Sequence, residues 1–261
     1  MHVRTVAGAV RALLLAEGLF VLIAGAQLFV FSARTDELFA WTIAPPLTAA
    51  FLGGCYWAAG VLVLTAVRRD EWARVRIAVP AVLLFAVLTL GVTIVHFDRF
   101  DMDSFFGWAW LVVYVAVPPL SVLAWALQRR TPGGDPPRRW PLPRALRLVL
   151  TLQAVVLLVA GIALLVLAND WWPWTLTPLT SRAIGAWLVS IAAIAAHVLV
   201  EDDLRRVDVA FAAYMALGVL ELIAVARYAD TLDWPGAWAY VAFVASIAGT
   251  GLWGALMARG A

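Results

Sequence analysis

The sequence contains no lysine, one cysteine and few charged residues of either sign. The missing lysine excludes a retinal Schiff base, which forms on a lysine amine. Cys55 alone can form neither an internal disulfide nor a two-cysteine redox pair, so we expect a thiol packed in the core. Charged residues make up 14% and hydrophobic residues 64% of the chain. Soluble domains carry ~25% charged residues, so this composition is typical of an integral membrane protein.

Common enzyme and cofactor motifs are also missing. The sequence has no glycine-rich phosphate loop, no G-x-S-x-G elbow, no H-E-x-x-H pattern and no C-x-x-C-H haem motif. His96 and His197 would lie ~24 Å apart in depth by helical rise, too far to share one haem. We therefore expect no cofactor, no metal and no enzymatic activity, with an unfamiliar intramembrane enzyme as the alternative.

Long apolar runs dominate the chain instead. A membrane-spanning helix needs ~20 mostly apolar residues, and eight runs meet this requirement. The first run is longer than the ~7–15-residue core of a signal peptide, so we expect it to remain as a helix. The runs cover residues 11–32, 46–67, 77–96, 106–128, 145–168, 181–200, 207–226 and 236–257.

The arginines predict the orientation of these helices, because positively charged residues resist translocation. With the N-terminus in the cytoplasm, all but four of the 19 positive charges fall on the cytoplasmic side. Both termini are therefore predicted to be cytoplasmic. The four exceptions are Arg34, Arg99, Arg182 and Arg227.

An internal repeat divides the chain into two halves. The phrase WTIAPPLT, Trp41–Thr48, returns as WTLTPLTS, Trp174–Ser181. Arg11–Gly25 also aligns with Arg147–Gly161, which places Glu17 opposite Gln153. Four helices are an even number, so both halves begin on the same side of the membrane.

We therefore predict an all-α integral membrane protein whose eight transmembrane helices form a tandem, parallel duplication of a four-helix unit. A pseudo-two-fold axis would run along the membrane normal. The predicted units are residues 1–128 and 145–261. A cytoplasmic linker rich in Pro, Gly and Arg, residues 129–144, joins them.

The repeated phrase has a structural interpretation. Proline suits the first position of a helix, and Thr177 before Pro178 is typical of an N-cap. Trp41 and Trp174 suit the aromatic belt at the membrane–water interface. The phrase therefore indicates the start of a helix in each half, and a duplicated ligand-binding mouth is the alternative.

Two matched interruptions in the last helix of each half indicate a ligand site. Pro118 and Pro119 interrupt the fourth run, and Gly249 and Gly251 occur at a similar depth in the eighth. Such pairs mark midplane sites in many transporters. The alternative is a proline kink in one helix and a seam of small packing residues in the other.

Three ionisable residues fall within the apolar runs and are candidate ligand contacts. Charges are costly in hydrocarbon, so Glu17, Glu221 and Arg182 are functional candidates by default. Either carboxyl could exchange a proton or bond to a neighbouring helix, and Gln153 at the matching position favours a structural role for Glu17. For Arg182 we expect snorkelling to lipid phosphate or pairing with Asp170, with substrate binding as the alternative.

The loops on the predicted outer side combine acids and tryptophans. Aromatic faces beside carboxylates can hold a cation or stack on a sugar. The alternative is an aromatic belt that anchors helix ends. The candidate residues of this outer mouth are Trp41, Asp103, Trp108, Trp174, Asp233 and Trp238.

One segment resembles a known family. WTIAPPLTAAFLGGCYW, Trp41–Trp57, is similar to the Trp-Pro-Pro stretch of the tryptophan-rich TspO/translocator family, which binds porphyrins and sterols. The resemblance covers less than a tenth of the chain. That family has five helices and no tandem duplication, so its ligand is not carried over.

The sequence thus predicts a multi-pass protein of the cell membrane that binds or transports a small or lipidic ligand between its repeats. The alternative is a non-catalytic subunit or scaffold that packs on a partner membrane protein. Its predicted partners are the lipid bilayer, a small-molecule or lipid ligand, and another membrane protein or a second copy of the chain, but no nucleic acid.

Overall fold

A computed structural model describes residues 2–167 and 169–261. In this part of the chain eight helices are long and apolar enough to cross a membrane, which confirms the predicted number. The described residues form no β-sheet, only two isolated bridges. The spanning helices are α1 (Gly8–Val30), α2 (Pro46–Val67), α3 (Trp72–Val95), α4 (Phe105–Arg129), α5 (Arg144–Val166), α6 (Pro178–Glu201), α7 (Asp208–Arg227) and α8 (Ala237–Arg259).

The starts of α2 and α6 follow the predicted rules. Pro46 and Pro178 occupy the first turns of their helices, where a missing N–H costs nothing. The Thr177 hydroxyl accepts a hydrogen bond from the Thr180 backbone N–H, which confirms the predicted N-cap. Thr180 bonds back to the Thr177 backbone N–H and completes a capping box.

The helices have the same pattern of neighbours in both halves. Within the first half α1 packs on α2 and α4, and α3 packs on α4. Within the second half α5 packs on α6 and α8, and α7 packs on α8. Between the halves α2 packs on α7, and α3 packs on α6. If α1 to α4 are exchanged with α5 to α8 in order, the same set of packed helix pairs results.

Gly53 and Gly185 each lie seven residues after the proline that begins their helix, and they allow the first two helices of each half to approach closely. A Cβ added to Gly53 in α2 would lie 2.4 Å from the Phe29 backbone N in α1. A Cβ added to Gly185 in α6 would lie 2.8 Å from the Gly161 backbone O in α5. Only glycine permits such backbone contact, and small residues at crossings are common in membrane helix packing.

One end of the bundle is rich in arginine and carries both termini and the linker. The Arg4 backbone N–H donates to Gly134 O in the linker at 3.0 Å, and Trp72 N–H donates to Arg4 O at 3.0 Å. The Asp203 carboxylate accepts from the backbone N–H groups of Arg139 and Trp140, at 2.7 and 3.1 Å. These bonds hold the linker against the N-terminal segment and the end of α6, and they hold the N-terminal segment against the start of α3.

Partly buried ion pairs at the arginine-rich end join the two halves. Glu201 at the end of α6 accepts two hydrogen bonds of 2.5 Å from Arg76 in α3. Arg206 and His197 approach the same carboxylate at 3.2 and 3.4 Å. The Arg76 guanidinium also bonds to Asp135 of the linker. Each charge therefore has an opposite partner, as buried charges require.

The other end of the bundle is rich in tryptophan, and there the two copies of the repeated phrase touch. Trp174 Nε1–H donates to Thr48 Oγ1 at 2.8 Å. Trp41 and Trp174 are only 5% and 4% exposed, so they pack in the interior rather than in a lipid-facing belt. Trp108 and Trp238, in contrast, are exposed.

Each buried tryptophan anchors an aromatic cluster. Trp41 packs on Phe39, Phe100 and Trp110, with ring centroids 4.8–5.0 Å apart. Trp174 packs on Phe51, Trp172 and Tyr240, with centroids 5.2–6.1 Å apart. Edge and tilted contacts of this kind are favourable between aromatic rings, so the Trp41 cluster stabilises the first half and the Trp174 cluster, through Phe51 of α2, joins the two halves.

Candidate ligand cavity

The predicted helix interruptions do not line a common space. Helix α4 remains helical through Pro118 and Pro119 and packs mainly on α1 and α3, whereas α8 packs on α5 and α7. Pro119 and Gly249 are exposed on the bundle surface. Gly251 instead packs against the backbone of Met215 in α7. A ligand role for these residues stays a prediction.

A cavity of about 620 Å³ lies among the four helices of the second half. We call it the outer cavity, because it extends from the tryptophan-rich end into the bundle. Its walls are mainly apolar and include Val156, Leu188, Leu217 and Val244, from α5 to α8. Phe51 of α2 closes it toward the first half. Ligand sites with a few polar groups in an apolar pocket have volumes of about 300–1,000 Å³.

Glu221 of α7 lies in the wall of the outer cavity. It is 2% exposed, and its Oε1 lies 3.8 Å from the Cys55 thiol of α2. Its Oε2 has no hydrogen-bond partner among the described residues. The carboxyl fits between α2 and α7 because Gly54 has no side chain, since a Cβ there would lie 2.6 Å from Glu221 Oε1. Glu221 is therefore a buried polar group with unused hydrogen-bonding capacity.

The mouth of the outer cavity is acidic and aromatic. Asp170, Asp233, Trp171 and Trp172 line it at the tryptophan-rich end. No described residue that lines the cavity is basic. Carboxylates beside indole rings attract cations, so the charge of the site favours a cationic or neutral ligand over an anion.

The outer cavity also borders the exposed apolar surface between α5 and α8. Gln153 of α5 donates to Ser246 and Thr250 of α8 at 3.0 and 3.1 Å, and these bonds join the two helices. One turn closer to the tryptophan-rich end, Val156 of α5 and Phe243 of α8 line the cavity. Val156 is 48% exposed, so the cavity wall continues onto the outer face of the bundle.

In the first half, aromatic side chains fill the matching space. Phe85 stacks on Trp187 with ring centroids 3.8 Å apart, and Tyr56 OH lies 2.6 Å from Tyr114 OH. On the side of these rings that faces Trp41 and Trp110, only about 10 Å³ remains open. The larger side chains therefore leave little space for a ligand at the tryptophan-rich end of this half.

The second half has smaller residues at the matching positions. The 3₁₀ turns Phe97–Arg99 and Ala229–Thr231 follow α3 and α7, and aligning them places Leu217 opposite Phe85. The same register places Glu221 opposite Thr89. Val244 likewise matches Tyr114 when Trp238 is aligned with Trp108. Smaller side chains thus explain why the second half is open.

A second, narrower cavity of about 100 Å³ lies toward the arginine-rich end. We call it the inner cavity. Glu17 lines it and is 6% exposed, and neither of its carboxyl oxygens has a hydrogen-bond partner in the described part of the chain. Gln153 makes the interhelical bonds expected of a structural residue, whereas Glu17 makes none of this kind. Ile191 and Leu217 line both cavities and separate them.

Arg182 does not line the outer cavity, and its partner is not the predicted Asp170. Its guanidinium donates to His96 Nε2 at 2.9 Å and so joins α6 to the end of α3. Burial and the adjacent Arg182 guanidinium lower the pKa of the His96 imidazole below its ordinary value. Neutral His96 can accept this bond, so Arg182 connects the two halves at the tryptophan-rich end.

No family model, curated protein or solved structure matches this chain. Eight spanning helices also differ from the five of the family that Trp41–Trp57 resembles. Among the described residues, no group of three or more His, Cys, Asp or Glu side chains could hold a metal ion. The function is therefore inferred from the geometry of the two cavities.

Proposed function

We propose that this multi-pass membrane protein binds a small amphipathic ligand, neutral or cationic, in the outer cavity. The observation that carries this proposal is an apolar cavity of about 620 Å³ with Glu221 in its wall, whose Oε2 has no hydrogen-bond partner among the described residues. A buried carboxyl oxygen without a partner is costly, and a ligand amine or hydroxyl would satisfy it. The acidic mouth and the border with lipid would admit such a ligand from water or from the membrane.

We propose further that the ligand, or a proton exchanged with it, crosses the membrane through the two cavities. The outer and inner cavities lie toward opposite ends of the bundle and share the walls formed by Ile191 and Leu217. Each is lined by one buried carboxyl, Glu221 or Glu17, with at least one oxygen that has no hydrogen-bond partner among the described residues. Such intramembrane acids are typical of transport and proton pathways.

The proposed architecture is a tandem duplication with both termini in the cytoplasm of the cell. The matching helix neighbours and the matching glycine contacts of Gly53 and Gly185 support the duplication. The arginine-rich end supports the orientation, because this end would remain in the cytoplasm by the positive-inside rule.

Cysteine labelling of intact cells tests the orientation. Arg138→Cys places a thiol in the exposed linker, and Asp103→Cys places one at the exposed tryptophan-rich end. We expect a membrane-impermeant maleimide to label only the Asp103→Cys variant. Cys55 is buried and serves as the internal background in the unmodified protein. Labelling of Arg138→Cys before cell lysis would contradict the orientation.

Mass spectrometry of the gently solubilised protein tests the binding function. We expect the protein to carry a bound small molecule or lipid that is released on denaturation. The same molecule should be absent from an unrelated eight-helix protein prepared in the same way. The released molecule should be cationic or neutral, because the outer cavity has acidic but no basic described residues. A stoichiometric protein partner with no bound small molecule would favour the scaffold function instead.

A further inference from the structure

A third cavity, of about 350 Å³, lies at the arginine-rich end, apart from the outer and inner cavities. We call it the basic pocket. Three segments meet there: the N-terminal segment before α1, the start of α3 and the end of α4. The residues that line it are Arg4, Trp72, Arg76, Trp125, Gln128 and Arg129.

Hydrogen bonds hold the frame of the basic pocket in place. Arg4 donates from Nε and Nη2 to Gly133 O at 3.2 and 3.0 Å. The buried Gln128 side chain accepts from Ala7 N–H at 2.7 Å and donates to Thr5 O at 2.9 Å. The N-terminal segment is therefore fixed to both the linker and α4, and the pocket exists before any ligand binds.

The charge in the basic pocket is positive. Arg76 is neutralised by Glu201 and Asp135, and Arg4 is bonded to a carbonyl. The exposed Arg129 guanidinium has no hydrogen bond or ion pair within the described part of the chain. None of the described residues that line the pocket is acidic. The pocket therefore presents uncompensated guanidinium donors to an incoming anion.

Two indole rings line the basic pocket, the buried Trp72 and the partly exposed Trp125. Trp72 and Trp125 pack edge to face, with centroids 5.3 Å apart and an angle of 69°. Tryptophans favour the headgroup region of a bilayer, where one part of the ring contacts lipid and another contacts water. Arg129, one turn beyond Trp125, has the length to reach the phosphate layer by snorkelling.

We propose that the basic pocket binds the phosphate headgroup of an anionic lipid from the leaflet at the arginine-rich end. Arginine forms paired, charge-assisted hydrogen bonds with phosphate oxygens, and Arg129 has free donors for them. Arg4, which has no ion pair within the described residues, adds positive charge at the back of the pocket, and the partly exposed Trp125 indole contacts the glycerol and upper acyl chains. This proposal does not depend on a ligand in the outer cavity.

Lipid titration of the full chain tests the proposal. Delipidated protein in detergent would be titrated with phosphatidylglycerol, phosphatidylcholine or inorganic phosphate and followed by native mass spectrometry. We expect preferential binding of phosphatidylglycerol, and about fivefold weaker binding after Arg129→Gln, the effect of one basic residue near anionic lipid. Arg129→Lys should recover part of the loss, because it restores the charge but not the planar fork.

Arg130→Gln provides the matched control, because Arg130 is an exposed neighbour that does not line the pocket. We expect its affinity for phosphatidylglycerol to stay within about twofold of the unmodified protein, since its charge lies outside the site. Equal losses in both variants would overturn the proposal and assign lipid binding to general surface charge. If inorganic phosphate binds in a way that depends on Arg129, and phosphatidylglycerol is not preferred, the claim that the bound phosphate belongs to a lipid would be contradicted.

Discussion

The double variant Leu217→Phe/Val244→Tyr is expected to lose at least about nine-tenths of the ligand bound in the outer cavity, which corresponds to ~1.4 kcal/mol or more in affinity. The two substitutions install the aromatic side chains that fill the matching space in the first half, at Phe85 and Tyr114. Both positions line the outer cavity, so the added rings occupy the ligand's volume. The ligand fraction would be measured by native mass spectrometry, beside thermal unfolding.

The control for this experiment adds the same total number of side-chain heavy atoms on the exposed surface of the same two helices. Val219 and Leu252 are 45% and 48% exposed on α7 and α8. We expect Val219→Phe/Leu252→Tyr to retain the ligand, because neither side chain reaches the outer cavity. Full ligand occupancy in a folded Leu217→Phe/Val244→Tyr variant would show that the outer cavity is not the binding site.

Gly251→Ala is expected to destabilise the protein by about 1–3 kcal/mol, the usual cost of forcing extra atoms into a packed interior. A Cβ on Gly251 would lie 2.2 Å from the Met215 backbone N and 2.6 Å from its Cα. Backbone atoms cannot rotate away as a side chain can, so α7 and α8 would have to separate. The measurement is the shift in the thermal unfolding midpoint in detergent.

Gly249→Ala is the control on the same helix, two residues away. No heavy atom outside its helix backbone lies within 4 Å of the added Cβ. Alanine also has a higher helix propensity than glycine by ~1 kcal/mol, so we expect an unchanged or slightly higher unfolding midpoint. Equal losses in the two variants would contradict the close α7–α8 contact.

This pair of variants also separates the two interpretations of the small residues in α8. A packing seam predicts that only Gly251 is sensitive, whereas a ligand site that includes both glycines predicts reduced binding in both variants. Measuring ligand occupancy beside stability in the same preparations distinguishes these outcomes.

The sequence was sufficient to predict the eight helices and the residues that begin α6. Hydropathy over ~20 residues is a strong indication of a spanning helix, because the bilayer leaves few alternatives for an apolar segment of that length. The proline at the first turn of α6 and the hydroxyl of Thr177 before it are local features, and both act as predicted.

The outer cavity could not be predicted in this way, because it exists where side chains are smaller than those that fill the matching space in the first half. Leu217 and Val244 are ordinary apolar residues of a membrane helix, and nothing in their hydropathy distinguishes a packed wall from an open one. The useful comparison is with Phe85 and Tyr114 in the other half, which requires the correct register between the halves. The 3₁₀ turns after α3 and α7 supply that register, and the sequence alone did not.

Long-range partners were also inaccessible from the sequence. Trp41 and Trp174 are tryptophans near helix ends, as in an aromatic belt at the membrane interface. Both are nevertheless buried in clusters that form only when distant loops meet. Arg182 bonds to His96, 86 residues away, rather than to the nearby Asp170. Burial and partner choice depend on helix packing, so single-segment patterns do not specify them.

The aromatic filling of the first half has a consequence for stoichiometry. A chain built from two similar units would offer two equivalent places for a guest molecule, but here Phe85, Tyr56 and Tyr114 already occupy one of them. Saturation should therefore be reached at one guest per polypeptide, with one half acting as receptor and the other as a rigid support.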